Sequence, residues 1–442
     1  MKQIQQLGLI SSIFLILFFA IIGFEKELIS PLILLLFIVV LILSVPINKP
    51  SKKIIISFFL FYSGWGLLIA LSIISDPLKD YYNALDSTTF YKITETFNNV
   101  KTFESFIIQF KKISLIYQDT LGWNLLLAIN ASIANIIDKN NIYIHIILNS
   151  FIGGLCVQQL YVLIKNNLEI EKAKKWTYLL GIFSFIPIFT PTLLRDVLIL
   201  FMFLLAYNTV LPKQHLWIVK ILIIALITSF IRPESGIVVL GFLILLLRQV
   251  KLSTIFISLI AIIFLLPLIL NYFEKIKATY ETYIIYSEEL NDSSGLGQVL
   301  FSLPIGFREL FVSVYSQIQP FPSINAVNEG FNANGHSVFR IYEIFAGIFH
   351  LALWSFIIYS ISVRRIRKSI PFEYYLLLIL TLTFLAGSIY TFSHRRAMSL
   401  YPSIYICAIW CYYKLTPNER KYLFSLTIIT MISLNLAYYL IK

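Results

Sequence analysis

Apolar runs recur along almost the whole of this 442-residue chain, separated by short polar interruptions. A helix needs about 20 apolar residues to cross ~30 Å of hydrocarbon, and by that measure the chain holds about thirteen spans. They run over 7–24, 28–47, 54–75, 145–164, 176–194, 197–211, 216–231, 235–247, 252–270, 341–363, 372–392, 397–413 and 423–441. The runs at 197–211 and 235–247 are short and would need local thinning of the bilayer or polar ends that dip below its surface. The first run resembles a signal-peptide core but is longer than one. It lacks a small-residue cleavage site, and another span follows at once, so it is read as a membrane helix. The pattern predicts an all-α, polytopic transmembrane protein.

The basic residues fix an orientation. They fall in clusters between runs: Lys49, Lys52 and Lys53; Lys165, Lys172, Lys174 and Lys175; Arg248 and Lys251; Arg364, Arg365, Arg367 and Lys368; Lys414, Arg420 and Lys421. With these spans every cluster falls on one side, which the positive-inside rule makes the cytoplasm. The N-terminus lies on that side too. The run 121–137 is apolar enough to span, but counting it would put the Lys165–Lys175 cluster outside. It is therefore read as a re-entrant or interfacial helix on the outer face. The chain divides into a three-span region (1–75), a first outer loop with interfacial helices (76–141), a six-span region (142–270), a second outer loop (271–340) and a four-span region (341–442). Loops of this length are usually functional or disordered, and the aromatics of the second argue against disorder.

Composition narrows the possibilities. The chain is 58% hydrophobic and 13% charged, with a mean hydropathy of +0.81. Soluble domains run at about 45–50% apolar and about 25% charged, so the excess must face lipid. A formal charge of +12 would suggest nucleic acid if it were spread over one surface. Confined to short loops, it marks a membrane face, and no nucleic-acid partner is expected. Cys156, Cys407 and Cys411 lie inside apolar stretches and read as small core residues. There is no Walker-type glycine loop, no Cys or His ligand cluster, no internal repeat and no soluble domain, so neither a cofactor nor a metal is expected. Asn130 and Ser132 form an Asn-x-Ser pattern that chance explains.

On this topology several polar groups meet the outer face. Asp80, Tyr81, Tyr82 and Asp86 open the first outer loop, with Tyr91 beyond. Arg195 and Asp196 follow Pro187 and Pro191 at a span end. Arg232, Pro233 and Glu234 form one tight turn, and His394, Arg395 and Arg396 another. A charge near hydrocarbon costs several kcal/mol unless paired or wet, which makes each a functional candidate. Guanidinium forks match phosphate oxygens in a bidentate way, and carboxylates can take a proton from an attacking hydroxyl. Plainer alternatives stand beside each. Arg195 with Asp196, and Arg232 with Glu234, can be local ion pairs. The His394–Arg396 turn can snorkel to the interface, and Asp86 can cap a loop helix.

The layout resembles the bacterial O-antigen and exopolysaccharide repeat-unit polymerases and, more distantly, the GT-C membrane glycosyltransferases. Three pieces carry the resemblance: an acidic, Tyr-containing opening of an outer loop (Asp80 to Tyr91), a Pro-containing span ending in Arg195-Asp196 with Arg232 opening the next outer turn but one, and the His394-Arg395-Arg396 turn before Tyr401-Pro402. Here the acidic loop follows the third span, whereas in GT-C enzymes it follows the first, and no acidic pair suited to a metal is evident. The resemblance implies a GT-C-like fold and an enzyme joining glycan units carried on polyprenyl pyrophosphate, on the outer face of a bacterial cytoplasmic membrane. Asp86, or failing it Asp196 or Glu234, would take the acceptor's proton. Arg195, Arg232, His394, Arg395 and Arg396 would hold phosphate, with Tyr82 and Tyr91 near the glycan. Partners would be the lipid-linked glycan, membrane lipid and other polysaccharide-assembly proteins. A polyprenyl-phosphate sugar donor is the near alternative. A flippase or transporter for the same glycan is the alternative from another class, disfavoured by the lack of a repeat and by charges at span ends.

The topology makes one sharp prediction. In a Gly335→Cys variant of intact cells, the new thiol in the second outer loop should react with an impermeant maleimide added from outside. Labelling seen only after permeabilisation would reverse the orientation.

Overall fold

The computed structural model describes residues 29–72, 85–117, 120–137, 139–166, 168–213, 215–248, 303–304, 311, 314, 317, 336–388 and 397–441. Among these every regular element is helical. The chain divides into two compact units. One comprises Met1–Leu204, Pro320–Ala352 and Phe424–Lys442; the other comprises Leu205–Gln319 and Leu353–Leu423.

The first unit contains α1 (Ile29–Ser44), α2 (Lys49–Ser72), α3 (Leu85–Glu95), α4 (Phe103–Ile116), α5 (Leu121–Ile137), α6 (Ile142–Lys165), α7 (Ile170–Phe183), the single turn α8 (Ile186–Phe189) and most of α9 (Asp196–Val210). It also holds α12 (His336–Ser362) as far as Ala352. Local chemistry sets several starts. Thr102 and Ser105 exchange side-chain and backbone bonds as a capping box for α4, and Asn141 accepts from the Ile144 N–H at 3.2 Å to open α6. The core of this unit is the antiparallel pair α2 and α6. A Cβ on Gly154 would stand 3.0 Å from the Ile55 carbonyl oxygen and 3.1 Å from the Phe59 nitrogen, so the two backbones nearly touch. Small residues permit such crossings where lipid supplies no hydrophobic drive between helices. Ile38, Ile42, Ile55, Phe59, Ile144 and Ile147 pack around this crossing.

The second unit contains α10 (Trp217–Ile231), α11 (Pro233–Gly241) with its 3₁₀ continuation Phe242–Arg248, the rest of α12, α13 (Arg364–Ser369), α14 (Phe372–Ser388), the 3₁₀ turn Met398–Leu400, and α15 (Tyr401–Lys414). Helix α16 (Pro417–Ile441) begins here, at a clasp that joins two loops. The Glu419 carboxylate receives Arg365 Nη2 at 2.8 and 3.0 Å, the Tyr359 hydroxyl at 2.9 Å and the Thr416 N–H at 2.7 Å. The Thr416 N–H foremost, helped by the hydroxyls and the guanidinium, holds this carboxyl down to about 2. Deeper in the unit the Tyr207 and Ser403 hydroxyls bond to each other, and the Tyr207 ring lies edge-on to Phe242.

Among the described residues three helical stretches are long and apolar enough to cross a membrane: Lys49–Ala70, Ile142–Lys165 and Tyr342–Ser362. Other helices present large residues outward at helical spacing. Val219, Ile223, Leu226 and Phe230 do so on α10, and Ile428, Ile429, Ile432 and Leu436 on α16. Several faces of this kind on one chain are what a protein solvated by hydrocarbon shows. Among the described residues the fold bears out an all-helical protein with helices able to cross a membrane; the expected runs 7–24 and 252–270 lie outside them.

Two expected runs, 235–247 and 176–194, differ in detail, while 121–137 is helical as read from the sequence. The run 121–137 is one 17-residue helix whose Trp123, Leu127, Ala128, Ala131 and Ala134 are buried while Ile136 is 84% exposed. The run 235–247 is α-helical only to Gly241. The run 176–194 is not one helix: α7 stops at Phe183, and the chain is irregular up to Asp196 apart from α8. Proline explains this last break. Pro187 and Pro191 lack N–H donors, and each disfavours helix at the residue before it.

The crossing of α2 and α6 yields a stability prediction. Gly154→Ala should destabilise the protein by about 1–3 kcal/mol, since only backbone could move to admit the methyl. Gly241→Ala meets the flexible end of Leu380 at 3.3 Å and should change little. Thermal unfolding of both variants in detergent checks the contrast.

Candidate functional site

An interrupted helix in an apolar interior leaves backbone carbonyls that must be answered locally. Residues 184–194 are buried throughout. Their carbonyls, and those bounding the segment, are met by side chains from three helices. From α2, Trp65 Nε1 donates to the Pro187 oxygen at 3.0 Å and the Tyr62 hydroxyl to the Gly181 oxygen at 2.7 Å. From α5, Trp123 Nε1 donates to the Leu193 oxygen at 3.2 Å. From α6, Asn149 Nδ2 donates to the oxygens of Phe189 at 3.2 Å and Thr192 at 2.6 Å. Gly66 and Gly153 bring α2 and α6 this close; a Cβ on Gly66 would lie 3.4 Å from Pro191 Cβ, and one on Gly153 would lie 2.8 Å from the Tyr62 ring.

Ionisable residues gather about this segment. Asp196, fully buried, occupies the first turn of α9, where the helix dipole favours a carboxylate. Arg195 precedes it, half-buried. The N-terminal part of α12 adds Glu343 and His350, both buried and two helical turns apart, within an apolar helix. The His350 ring lies edge-on to Phe185 at 5.6 Å, and Tyr342 stacks obliquely on Trp65 at 5.0 Å. Glu343 and His350 were not among the sequence-based candidates. The signal was available as two ionisable groups seven residues apart inside a span.

A second polar cluster ties α3 to α5 and α6. His145 Nε2 lies 2.8 Å from Asn140 Oδ1, and its Nδ1 lies 3.0 Å from Asn130 Nδ2, which also donates to the Ile144 oxygen at 3.2 Å. An amide nitrogen can only donate, so Nδ1 accepts and the proton sits on Nε2. Asn140 Nδ2 continues to Thr94 Oγ1 at 3.2 Å and to Asn98 Oδ1 at 3.1 Å. The Asn140 N–H reaches Asn135 Oδ1 at 3.0 Å, and Asn135 Nδ2 reaches the Phe97 oxygen at 2.9 Å. Asn130 thus serves packing in this buried network.

The sequence-derived candidates fall as follows. Asp86 is exposed in the first turn of α3, and Tyr91, on the same helix, is half-buried with its ring 6.4 Å from that of His145. Burial above all, then the Glu95 carboxylate, raises the Tyr91 phenol above its usual range. In the second unit Arg232 ends α10 with an extended backbone and caps α11, whose first residue is Pro233. It is 6% exposed, and its Nε lies 3.6 Å from Glu234 Oε1. The two residues meet as an ion pair at the apex of a helical hairpin, the plainer of the alternatives that the sequence left open. The hairpin is closed by Gly236, where a Cβ would stand 2.9 Å from the Ala225 oxygen. Tyr82, His394, Arg395 and Arg396 lie outside the described residues. Among the described residues no group of three or more His, Cys, Asp or Glu is placed to hold a metal ion.

No protein-family model, no curated protein and no solved structure matches this chain.

The buried network predicts that Asn140→Ala lowers stability by about 1–3 kcal/mol, the usual cost of stranding buried hydrogen-bond partners. Combined with His145→Ala, the loss should be below the sum of the two single losses, because both remove the bond that joins them. Thermal unfolding of the two single variants and the double variant measures the coupling.

Proposed function

We propose that this chain is a membrane glycosyltransferase that polymerises polyprenyl-pyrophosphate-linked glycan repeat units of a bacterial surface polysaccharide on the outer face of the cytoplasmic membrane. The observation that carries this reading is Arg232. A nearly buried guanidinium is fixed at the apex of a hairpin of apolar helices, paired with Glu234 at 3.6 Å. A cation held at membrane depth in this way suits a phosphate that arrives on a lipid.

In the reaction an acceptor sugar hydroxyl attacks the anomeric carbon of the donor glycan. The bond from that carbon to the pyrophosphate oxygen breaks, and the hydroxyl proton passes to a carboxylate. Exposure ranks the carboxylates. Asp86 is open to an acceptor, whereas Asp196 is shut away at a helix N-terminus and serves better to fix the start of α9. Arg232, with Arg195, Arg395 and Arg396, would steady the departing pyrophosphate, and interactions of that type are among the largest in enzymatic rate enhancement.

The test is a deletion strain and a gel of its lipid-linked and surface polysaccharide. Polymerase function predicts single repeat units at the surface and no long chains. A repeat unit one sugar short would instead indicate a transferase using a polyprenyl-phosphate donor. Repeat units stranded on the inner face would indicate a flippase. In complementation, Asp86→Asn should be produced normally yet lose about a hundredfold or more of its activity. Arg232→Lys should lose about as much, since Lys lacks the fork. Normal chain lengths from both variants would overturn these roles.

A further inference from the structure

The second unit carries a cleft of about 840 Å³ lined by Lys213, Arg367, Lys368, Ile370, Pro371, Phe372, Glu373 and Tyr375. It lies where α12 gives way to α13 and α14 begins, against the turn that follows α9. Three cations and one carboxylate therefore face a single space. Elsewhere among the described residues Arg365 pairs with Glu419, Lys172 with Glu169 and Lys174 with Glu171. Lys213, Arg367 and Lys368 form no ion pair among the described residues. Backbone constrains the turn that carries Lys213 and holds the Arg367 side chain. Lys213 has a positive φ of 48°, as does Leu216 nearby at 56°, so the turn is a constrained one for residues with side chains. Arg367 Nη1 donates to the Ile361 oxygen at 3.1 Å.

The cleft has an exposed apolar lining residue, and the turn and helix that lead to it carry others. Phe372 is 56% exposed, Leu216 59% and Ile358 60%. Tyr375 offers a hydroxyl already engaged with Ser360 at 3.0 Å. Cations at the ends of apolar helices, with exposed hydrocarbon side chains alongside, match a ligand that is anionic at one end and apolar at the other. A soluble phosphate compound would have no use for the exposed Phe372, Leu216 and Ile358.

We propose that the Lys213–Arg367–Lys368 cleft binds the phosphate headgroup of an anionic membrane lipid, whose acyl chains lie along the exposed apolar faces of α12 and α14. The site is separate from the residues assigned to glycan transfer and does not depend on that assignment. Each basic residue at a membrane surface strengthens anionic lipid binding by about fivefold, so removing three should weaken it on the order of a hundredfold.

The test uses the full chain in an uncharged detergent, titrated with short-chain phosphatidylglycerol and followed by native mass spectrometry. Lys213→Gln, Arg367→Gln and Lys368→Gln combined should lower affinity on the order of a hundredfold, while Lys172→Gln with Lys174→Gln should leave it unchanged. Glu373→Gln should raise affinity, a gain that a misfolded variant would not give. Inorganic phosphate at matched concentration should fail to displace the lipid. Unchanged lipid binding in the triple variant, equal binding of phosphatidylcholine, or displacement by phosphate alone would each overturn the proposal.

Discussion

The structure depends first on the rule that a peptide group cannot be left unanswered in an apolar interior. Regular helices obey it by themselves, and most of this chain takes that route. Residues 184–195 do not. Two prolines interrupt the ladder, and the carbonyls that result are satisfied by two indoles, a phenol and a carboxamide drawn from α2, α5 and α6. Those donors dictate much else. Trp65 and Asn149 must come within hydrogen-bonding distance, so α2 and α6 must pass close by, and Gly66 and Gly153 stand where any larger residue would hold them off. The buried position of Asp196 follows, because α9 starts where the irregular segment ends.

The same rule accounts for the cluster around His145. Asparagine is a poor residue for a helix interior and a costly one in hydrocarbon, yet Asn130 and Asn135 sit on a helix that is otherwise mostly Leu, Ile and Ala. They are tolerated because each amide ends on a named partner. The imidazole between Asn130 and Asn140 has both nitrogens engaged, which leaves it no spare hydrogen-bonding capacity for chemistry. Its part is to hold α3 against α6.

Much of the helical content was legible in the sequence, because hydropathy over a window reports solvation and solvation decides most of this fold. The long runs at 54–75, 145–164 and 341–363 correspond to the three stretches able to cross a membrane among the described residues. The break within 176–194 was not legible as a break. Hydropathy sees Phe185, Ile186, Ile188 and Phe189 as span residues and is blind to whether their peptide groups are paired. The prolines were visible, but the donors that make the break affordable lie up to 122 residues away. The pairing of Arg232 with Glu234 was readable because both belong to one turn. The network of Asn130, His145 and Asn140 was not, since its members are spread over separate elements and one of them resembles a glycosylation pattern. Lys213 and Arg367 show the same limit: each looks like an ordinary loop cation until the fold places them on one cleft.

The spacing of these contacts along the chain bears on how the protein is made. The partners around Asn140 lie between 5 and 46 residues apart, so that network can close soon after α6 leaves the ribosome. The donors Tyr62 and Trp65 are synthesised 119 and 122 residues before the carbonyls they serve. Chain order thus lets α3, α5 and α6 assemble with one another before the interrupted segment is made.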